Sequence, residues 1–382
     1  MDDFPAGPAC PGPRRPPLSV VVPVRDGSAA LRRCLRGLRD SGRADVELIV
    51  VDDGSTDDSA AVAAGFGAVV LRHPRPLGPA AARNAGARVA TAPLVFFLDA
   101  DVVLHPDAIE KALARFDADP GLVALFGSYD DAPDAPGLVS RFRNLLHHFT
   151  HQQGTFCDDA RPVHTFWTGC GAIRRAVFLD HGGFDPLLYR RPAIEDIELG
   201  YRLTRDGHRI VLARDVQATH LKRWTLAEVV RTDIFRRGVP WTLLMLRSGV
   251  AEADLNVSRS QRLCVALTGV TLLAIVAAIW SPWLLAVAAS SVAANVALNR
   301  QFFRFLAQKG GWRLAMAAVP LHQVYYLCCG VSVLLAMAIW LAQGRPMARP
   351  VVPAPRLVER ATAALPRPNS TRPRRPTRWT GK

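Results

Sequence analysis

Carboxylates at the ends of two apolar runs are the side chains in this sequence best suited to chemistry. Asp52 and Asp53 follow the run ELIVV, and Asp99 and Asp101 follow the run LVFFL. Residues i and i+2 of an extended segment face the same side, so Asp99 and Asp101 can point together at one ligand. Carboxylates that converge in this way repel one another unless a cation or a proton lies between them. Mg²⁺ or Mn²⁺ bound to a diphosphate meets that need.

A second set of polar residues lies further along the chain. Glu195 and Asp196 open the segment EDIELGYRL, and His220 opens the segment HLKRW. An acceptor hydroxyl has a high pKa and becomes a competent nucleophile only when its proton is removed as the new bond forms. A carboxylate can accept that proton. Alternatively, the acidic residues of EDIELGYRL only stabilise the N-terminus of an amphipathic helix.

Alternating strand and helix patterns must position these residues. Apolar runs predict strands at 18–24, 47–51, 68–71, 94–98 and 122–126. Amphipathic stretches predict helices at 29–40, 57–64, 80–89 and 106–115. Such alternation indicates an α/β fold with a mostly parallel sheet, helices on both faces, and ligands bound beyond the carboxyl ends of the strands.

Composition divides the chain into five regions. These are a Pro/Gly-rich leader expected to be disordered (1–17), a first α/β half (18–127), a second half assigned to the acceptor (128–255), a membrane region (256–342) and a disordered Pro/Arg-rich tail (343–382). The leader has no basic n-region followed by an apolar core, so no secretory signal peptide is expected. The seven cysteines form no CxxC pair, which favours a reduced, cytoplasmic catalytic domain.

The membrane region contains three apolar segments, 263–280, 283–298 and 319–341, with the composition of membrane spans. The basic and aromatic stretch 300–313 is typical of a membrane surface. We therefore expect a multi-pass protein of the inner (plasma) membrane with a cytoplasmic catalytic domain. Three spans place the arginine-rich tail on the opposite side, against the preference of positive residues for the cytoplasm. Either one segment is re-entrant or interfacial, or the tail is an exception.

The formal charge of +14 raises the question of a nucleic-acid partner. Nine arginines lie between Arg345 and Arg378 and account for much of the excess. No basic groove lined with aromatic residues accompanies them, so no nucleic-acid partner is expected.

Four segments between residues 18 and 101 carry a resemblance to a known family. LSVVVPVRDG, ELIVVDDGSTD, GPAAARNAGA and PLVFFLDAD occur in this order. Together they resemble the donor-binding half of family 2 glycosyltransferases, which have the Rossmann-like GT-A fold. The resemblance implies that Asp53 contacts the base or ribose of a nucleotide-diphosphate sugar and that Asp101 is a principal metal ligand. The donor site it implies consists of Pro23, Asp52, Asp53, Arg83 and Asp99.

The resemblance continues through WTGCGA, GGFD and IEDIELGYRL. It implies that Asp196 is the general base, with Glu195 beside it in the catalytic site, and that His220 joins Asp99 and Asp101 around the metal. The acceptor-binding residues it implies are Gly169, Cys170, Gly171, Arg223 and Trp224. His220 stands where the QxxRW motif of processive synthases has glutamine, which makes processive synthesis doubtful.

These features predict an inverting glycosyltransferase that uses a nucleotide-diphosphate sugar and Mg²⁺ or Mn²⁺. The acceptor is a hydroxyl or phosphate group, expected to be lipid-linked because apolar segments hold the site against a membrane. A processive polysaccharide synthase and an inactive membrane-anchored scaffold remain alternatives. A phosphatase of the haloacid dehalogenase type is disfavoured because Val102 and Val103 follow Asp101, where a threonine is expected. A dehydrogenase and a P-loop protein are disfavoured because the sequence lacks GxGxxG after the first strand and lacks GxxxxGK[ST].

Overall fold

The computed structural model describes residues 15–248 and 259–344, so most of the predicted leader and nearly all of the tail lie outside the described residues. Within the described ranges, nine strands form one sheet. They are β1 (Leu18–Val24), β2 (Glu47–Asp52), β3 (Val69–Arg72), β4 (Leu94–Leu98), β5 (Val102–Leu104), β6 (Leu122–Tyr129), β7 (Ala160–Val163), β8 (Cys170–Arg174) and β9 (Arg209–His220).

Helices cover the sheet and continue beyond it. The first eight are α1 (Ser28–Asp40), α2 (Ser59–Gly65), α3 (Pro79–Val89), α4 (Ala108–Ala118), α5 (Leu138–His151), α6 (Arg175–Asp180), α7 (Glu195–Arg205) and α8 (Leu226–Arg231). A π-helical segment, Thr232–Gly238, then leads to α9 (Val239–Ser248), α10 (Arg259–Ala277), α11 (Leu284–Leu298) and α12 (Arg300–Ala342). The strands and helices predicted between residues 18 and 126 all have counterparts, although β6 and α4 run past their predicted ends.

The sheet has the order β3-β2-β1-β4-β8-β6-β9-β5, with β7 also paired to β9. Strands β3, β2, β1 and β4 are parallel, as the sequence predicts. Strand β8 runs antiparallel to both β4 and β6, and β5 and β7 run antiparallel to β9. The α/β fold is therefore confirmed, with a parallel first half and a mixed second half. Because β4 pairs with β8, the two predicted halves share one sheet.

Both faces of the central strands are covered, which explains why their sequences are apolar at nearly every position. Val20 and Val22 belong to one buried cluster, with residues of α1 and α4. Val21 and Phe97 face the other side and pack with residues of α3, α6 and α7. Two hydrophobic layers thus hold the sheet rigid and fix the positions of the loops at its edge.

The helices after residue 259 match the three predicted apolar segments. Helix α10 and helix α12 are long and apolar enough to cross a membrane by length and composition, and α11 is a shorter apolar helix. Residues Gly310 and Gly311 have non-helical backbone angles, so α12 is two helices, 300–309 and 312–342, joined at a kink. The kink lies within the basic, aromatic stretch 300–313, before the last apolar segment.

The first part of α12 holds the α/β domain against these helices. Phe142 and Leu145 of α5 pack with Phe302 and Leu306 of α12 in a third buried cluster. Lys309 also forms an ion pair with Asp131, in the loop after β6. The sheet domain and the apolar helices are therefore joined by packed side chains as well as by the chain itself.

Candidate active site

Sheet pairing brings residues from distant parts of the chain to one edge. Asp99 and Asp101 follow β4, and Val102 of β5 is paired with His220 at the end of β9. The backbone N–H of Leu221 donates a hydrogen bond of 2.9 Å to the carbonyl of Asp101. His220 Nε2 consequently lies 3.7 Å from Asp101 Oδ2. The pairing of β5 with β9 is what places a histidine beside the Asp-x-Asp segment.

Arg83 connects the two predicted halves of the site. Its Nη2 donates to Asp99 Oδ1 at 2.7 Å, and its Nη1 donates to Glu195 Oε1 at 2.8 Å. Arg83 is only 5% exposed and Glu195 only 4% exposed. A buried guanidinium with two carboxylate partners is a strong, directional contact. Arg83 therefore fixes the start of α7 relative to the end of β4.

The pKa values of the carboxylates depend on their burial and on the charges of neighbouring groups. Burial raises the pKa of Asp99; the charge of Arg83 partly offsets this, and the negative charge of Asp101 adds to it. The pKa of Glu195 is raised in the same way, with Asp196 as the like charge. Burial also acts to raise the pKa of Asp101, but the interactions with His220 and the charge of Lys222 outweigh it, so that pKa is lowered. The four carboxylates thus influence one another and belong to one electrostatic cluster.

The tautomer of His220 is set by a neighbour on α5. His220 Nδ1 lies 2.7 Å from Asn144 Oδ1, and an amide oxygen accepts, so Nδ1–H is the donor. Nε2 is then left facing the carboxylate of Asp101. The ring of Tyr129 stacks on His220 with centroids 4.4 Å apart and planes at 7°. A histidine whose second nitrogen is fixed in this way has the arrangement typical of metal ligands.

Asp196 lies at the start of α7, close to the same cluster. Its Oδ2 accepts hydrogen bonds from the backbone N–H and the hydroxyl of Thr168, at 3.1 and 3.2 Å. Its Oδ1 accepts from the backbone N–H of Ile197 at 2.9 Å. The carboxylate is partly exposed. It is therefore oriented by its neighbours while remaining open to a ligand, which is the arrangement that a general base requires.

Asp52 and Asp53 have different surroundings. Asp52 is fully buried, and its Oδ1 accepts from the backbone N–H of Ser55 at 2.8 Å, so it shapes the turn after β2. Asp53 Oδ1 contacts His73 Nδ1 at 2.7 Å and accepts from the N–H of Leu77 at 2.8 Å. Asp53 Oδ2 accepts from the N–H of Gly78 at 2.8 Å. Because a carboxylate oxygen can accept two hydrogen bonds, Oδ2 can also accept one from a ligand.

Asp53 thereby holds the loop that leads into α3. Gly78 in that loop has φ +98°, and a Cβ there would lie 2.3 Å from the carbonyl oxygen of Arg190. The loop before α7 thus rests directly on the loop before α3. Pro23, near the end of β1, pairs in register with Val51, two residues before Asp53.

The arrangement of Asp101 and His220 suits a divalent cation. An imidazole lone pair and a carboxylate facing each other at 3.7 Å need a positive charge between them, either a proton or a metal ion. Within residues 15–248 and 259–344, no group of three or more His, Cys, Asp or Glu side chains is close enough to hold a metal alone. Mg²⁺ and similar ions commonly take one or two protein ligands and complete their shell with substrate phosphates and water. Asp101 and His220 fit that chemistry, and Asp99 lies beside them in contact with Arg83.

The chain is similar to known proteins in both sequence and fold. Residues 19–182 match the family described as glycosyl transferase family 2. Pre-mycofactocin glycosyltransferase of Mycobacterium tuberculosis is 33% identical over 226 residues, which cover 56% of this chain and 45% of that relative. An uncharacterized protein of the same organism is 35% identical over 230 residues, which cover 55% of this chain and 71% of that relative.

The chain belongs to glycosyl transferase family 2. It spans about half the length of the pre-mycofactocin glycosyltransferase, 45%. The mannosyltransferase PcManGT from Pyrobaculum calidifontis, solved in complex with GDP-Man and Mn²⁺, has a similar fold. The TM-score is 0.55 at 21% sequence identity, over 84% of this chain and 88% of that one. The predicted membership of the family and the predicted GT-A fold are both confirmed.

Close packing around Trp167 explains two glycines of this family 2 chain, Gly169 and Gly171. A Cβ on Gly169 would lie 2.3 Å from the Trp167 ring, and a Cβ on Gly171 would lie 2.2 Å from the Trp167 carbonyl oxygen. Cys170 between them is fully buried, and burial raises the pKa of its thiol to about 12. The thiol takes no part in acid–base chemistry near neutral pH, and the predicted contact of Gly169, Cys170 and Gly171 with an acceptor stays a prediction.

Arg223 and Trp224 lie in the loop after β9. Arg223 is exposed. Trp224 is partly buried, with Lys222 Nζ 4.0 Å from the ring centroid, and its backbone N–H donates to Ser140 Oγ at 2.9 Å. Its indole Nε1 is buried and has no hydrogen-bond partner among the described residues. The structure thus places Trp224 beside the His220 end of the site, while the predicted contact of Arg223 and Trp224 with an acceptor stays a prediction.

Several residues of the site could not be recognised from the sequence. Asn144, Tyr129 and His73 contact His220 or Asp53, yet no motif marks them. Thr168 stands inside the WTGCGA segment, and only the resemblance of that segment to the family points to it. These residues act by orienting others, and such roles depend on contacts between distant elements.

Proposed function

We propose that this chain is an inverting glycosyltransferase that moves a sugar from a nucleoside-diphosphate sugar to an acceptor held at a membrane surface. The observation that carries the proposal is the clustering of Asp99, Asp101, Glu195 and Asp196 at one edge of the sheet, bridged by Arg83. Family membership and the named glycosyltransferase relative support the same reaction class.

The donor occupies the side of the cleft formed by the loops after β1, β2 and β4. Asp53 Oδ2 has acceptor capacity for the base or ribose, and Pro23 lies on the neighbouring strand β1. Arg83 supplies a buried positive charge close to where the diphosphate lies. Because GDP-Man and Mn²⁺ were bound together in PcManGT, we extend a divalent-cation requirement to this chain. A cation held by Asp101 and His220 would neutralise the negative charge that develops on the leaving diphosphate.

The acceptor reacts on the Asp196 side. Asp196 accepts the proton of the acceptor hydroxyl as the hydroxyl oxygen bonds to the anomeric carbon. The bond between that carbon and the diphosphate oxygen breaks, and its electron pair leaves with the diphosphate. One displacement inverts the configuration. Thr168 and Ile197 hold the carboxylate of Asp196 in place, so the base is oriented before the acceptor arrives.

The apolar helices support a membrane location. Large apolar side chains on α10, α12 and the turn after α10 are exposed, including Leu273 (71%), Trp280 (79%) and Leu334 (70%). A water-soluble protein rarely exposes apolar surface on this scale. The basic residues at the start of α10 and in the stretch 300–313 lie at the end of the helices near the α/β domain, which favours a cytoplasmic catalytic domain at the inner (plasma) membrane. A lipid-linked acceptor follows from this location.

A screen of radiolabelled nucleotide sugars tests the proposal. Membranes that contain the full chain are incubated with each donor and with Mg²⁺ or Mn²⁺, and label that partitions into organic solvent is measured. Label from at least one donor should enter the organic phase only when the cation is present. No transfer from any donor would contradict the reaction class, and label found only in water-soluble product would contradict the lipid-linked acceptor. Alkaline carbonate extraction should leave the chain in the membrane pellet; its release would contradict the membrane spans.

A further inference from the structure

The π-helical segment Thr232–Gly238 links the cleft to the apolar helices. Asp233 at its start accepts two hydrogen bonds from Arg143 of α5, at 2.9 and 2.6 Å, and both residues are buried. Gly238 at its end rests against α12, where an added Cβ would lie 2.2 Å from Ser332 Oγ. Both ends of the segment are therefore fixed, and so is the backbone position of Arg237 between them. Short π-helical turns of this kind are frequent at functional sites.

Arg237 carries a charge without a partner. Within the part of the chain that the structure describes, its guanidinium makes no hydrogen bond and no ion pair, although the residue is partly buried. Burial lowers the pKa of Arg237, and the charge of Arg143 adds to the effect. A guanidinium remains protonated in proteins nonetheless. A partly buried charge without a partner is costly, and a ligand of opposite sign would offset that cost.

The two carboxylates that interact electrostatically with Arg237 already accept hydrogen bonds from other groups. Asp233 is occupied by both amino groups of Arg143, and Asp196 accepts from Thr168 and Ile197. The N–H groups of Arg237 therefore have no hydrogen-bond acceptor among the described residues and stay available for an incoming anion.

The segment that carries Arg237 lies between α7 and the loop after β9. Trp241 Nε1, one turn beyond Arg237, donates a hydrogen bond of 3.0 Å to Tyr201 Oη of α7, and Arg143, the partner of Asp233, lies 5.7 Å from the centroid of the Trp224 ring. Burial lowers the pKa of His147, and the charge of Arg237 adds to the effect, so His147 is neutral. The Nδ1 of His147 is buried and has no hydrogen-bond partner within residues 15–248 and 259–344. The ring of His147 lies 4.5 Å from the ring of Tyr129, which stacks on His220, so this unpartnered nitrogen belongs to a residue beside the His220 end of the site.

We infer that Arg237, assisted by His147, binds a phosphate group of the acceptor next to the hydroxyl that faces Asp196. The inference rests on the proposed function. Arginine binds phosphate through two parallel N–H donors, which suits a phosphate better than a neutral headgroup. The segment that carries Arg237 packs on α12 through Gly238 and Ser332, so a phosphate bound there lies next to the apolar helices. The phosphate is a recognition group, and the hydroxyl remains the nucleophile.

Binding of a simple lipid phosphate tests the inference. The full chain is purified in an uncharged detergent and titrated with dodecyl phosphate, with inorganic phosphate and with dodecanol. Arg237→Gln and Arg237→Lys are compared with the wild type, and Arg231→Gln serves as the matched control because Arg231 is exposed on the preceding helical turn. Binding of UDP or GDP with Mn²⁺ is measured on the same samples.

The wild type should bind dodecyl phosphate and not dodecanol. Arg237→Gln should weaken that binding roughly 10- to 100-fold, Arg237→Lys less, and Arg231→Gln not at all. Equal binding of dodecyl phosphate by the wild type and Arg237→Gln, or no binding by the wild type, overturns the inference. Inorganic phosphate binding as tightly as dodecyl phosphate in an Arg237-dependent way supports the phosphate site and makes a soluble phosphate its source.

Two further measurements distinguish a phosphate-binding role of Arg237 from a purely structural one. Without phosphate, the Tm of Arg237→Gln should equal or exceed that of the wild type, since a costly unpaired charge has been removed. Dodecyl phosphate should raise the Tm of the wild type only. A lower Tm for the variant without phosphate would indicate a structural role and contradict the inference. Absence of metal-dependent nucleotide binding in the wild type would contradict the proposed function but would not contradict the phosphate site.

Discussion

Arg83 and Glu195 are 112 residues apart in the chain, yet Arg83 Nη1 donates a hydrogen bond of 2.8 Å to Glu195 Oε1. The second amino group of Arg83 holds Asp99. One buried guanidinium therefore aligns the donor side of the cleft with the helix that carries Asp196. The activity and the stability of this family 2 chain should consequently depend on the same side chain.

Replacing Arg83 with alanine should destabilise the fold by about 3–5 kcal/mol, because two carboxylates lose their buried partner. Chemical denaturation measures the change. Arg88→Ala, an exposed position on the same helix, is the matched control and should stay within about 0.5 kcal/mol of the wild type. If Arg83→Ala and Arg88→Ala unfold at the same denaturant concentration, the bridge is not a source of stability.

Replacing Asp196 with asparagine should lower the rate of sugar transfer about 10²- to 10⁴-fold, because asparagine cannot accept a proton. Binding of the nucleotide should be unchanged, since Asp196 lies on the acceptor side. Transfer kinetics and nucleotide titration measure the two effects separately. Asp206→Asn, an exposed position after the end of α7, should retain full activity. Transfer by Asp196→Asn at more than a tenth of the wild-type rate argues against its role as the base.

The strain at Gly78, in the loop before α3, can be compared with that at Gly67, in the turn before β3. Both have positive φ, but a Cβ at Gly78 would lie 2.3 Å from the carbonyl oxygen of Arg190, whereas one at Gly67 would meet no described atom within 4 Å. Gly67→Ala should cost about 1 kcal/mol of unfolding free energy from backbone strain alone. Gly78→Ala should cost more and should also raise KM for the donor, because the loop that contacts Asp53 must move. Equal costs and an unchanged KM would show that the two loops do not need this contact.

The buried, neutral His151 predicts a loss of stability in acid. Burial lowers its pKa to about 3, whereas the unfolded chain binds a proton near the ordinary value of 6.5. The folded state thus binds fewer protons between these values, so His151 supports the fold above pH about 6.5 and that support is lost as pH falls toward 3. His151→Gln should flatten this part of the stability curve, measured by denaturation at a series of pH values. Parallel curves for the two proteins would contradict the prediction.

The first half of the fold could be predicted because its strands are continuous apolar runs covered on both faces. Glu47–Asp52 and Leu94–Leu98 show this pattern in the sequence, and the carboxylates at their ends lie at one edge of the sheet, as expected. Strand β8 could not be recognised in this way, because the glycines around Cys170 are required by contact with Trp167. The mixed half of the sheet was therefore not anticipated.

Contacts within the site were harder to foresee than its location. The approach of His220 to Asp101 depends on the register of β5 with β9, which pairs residues far apart in the chain. The orientation of His220 depends on Asn144, which no motif marks. Arg237 gave no signal in the sequence, since only the structure reveals which arginines have partners.

The proposed mechanism requires above all that Asp101 and His220 hold a divalent cation together with a nucleoside diphosphate. Isothermal titration of UDP and GDP into the full chain, with and without Mn²⁺, tests this requirement directly, with Asp101→Asn as the variant. We expect at least one nucleotide to bind tightly only when Mn²⁺ is present, and Asp101→Asn to lose this dependence. Equal affinity with and without the metal, or equal behaviour of the wild type and the variant, would contradict the mechanism.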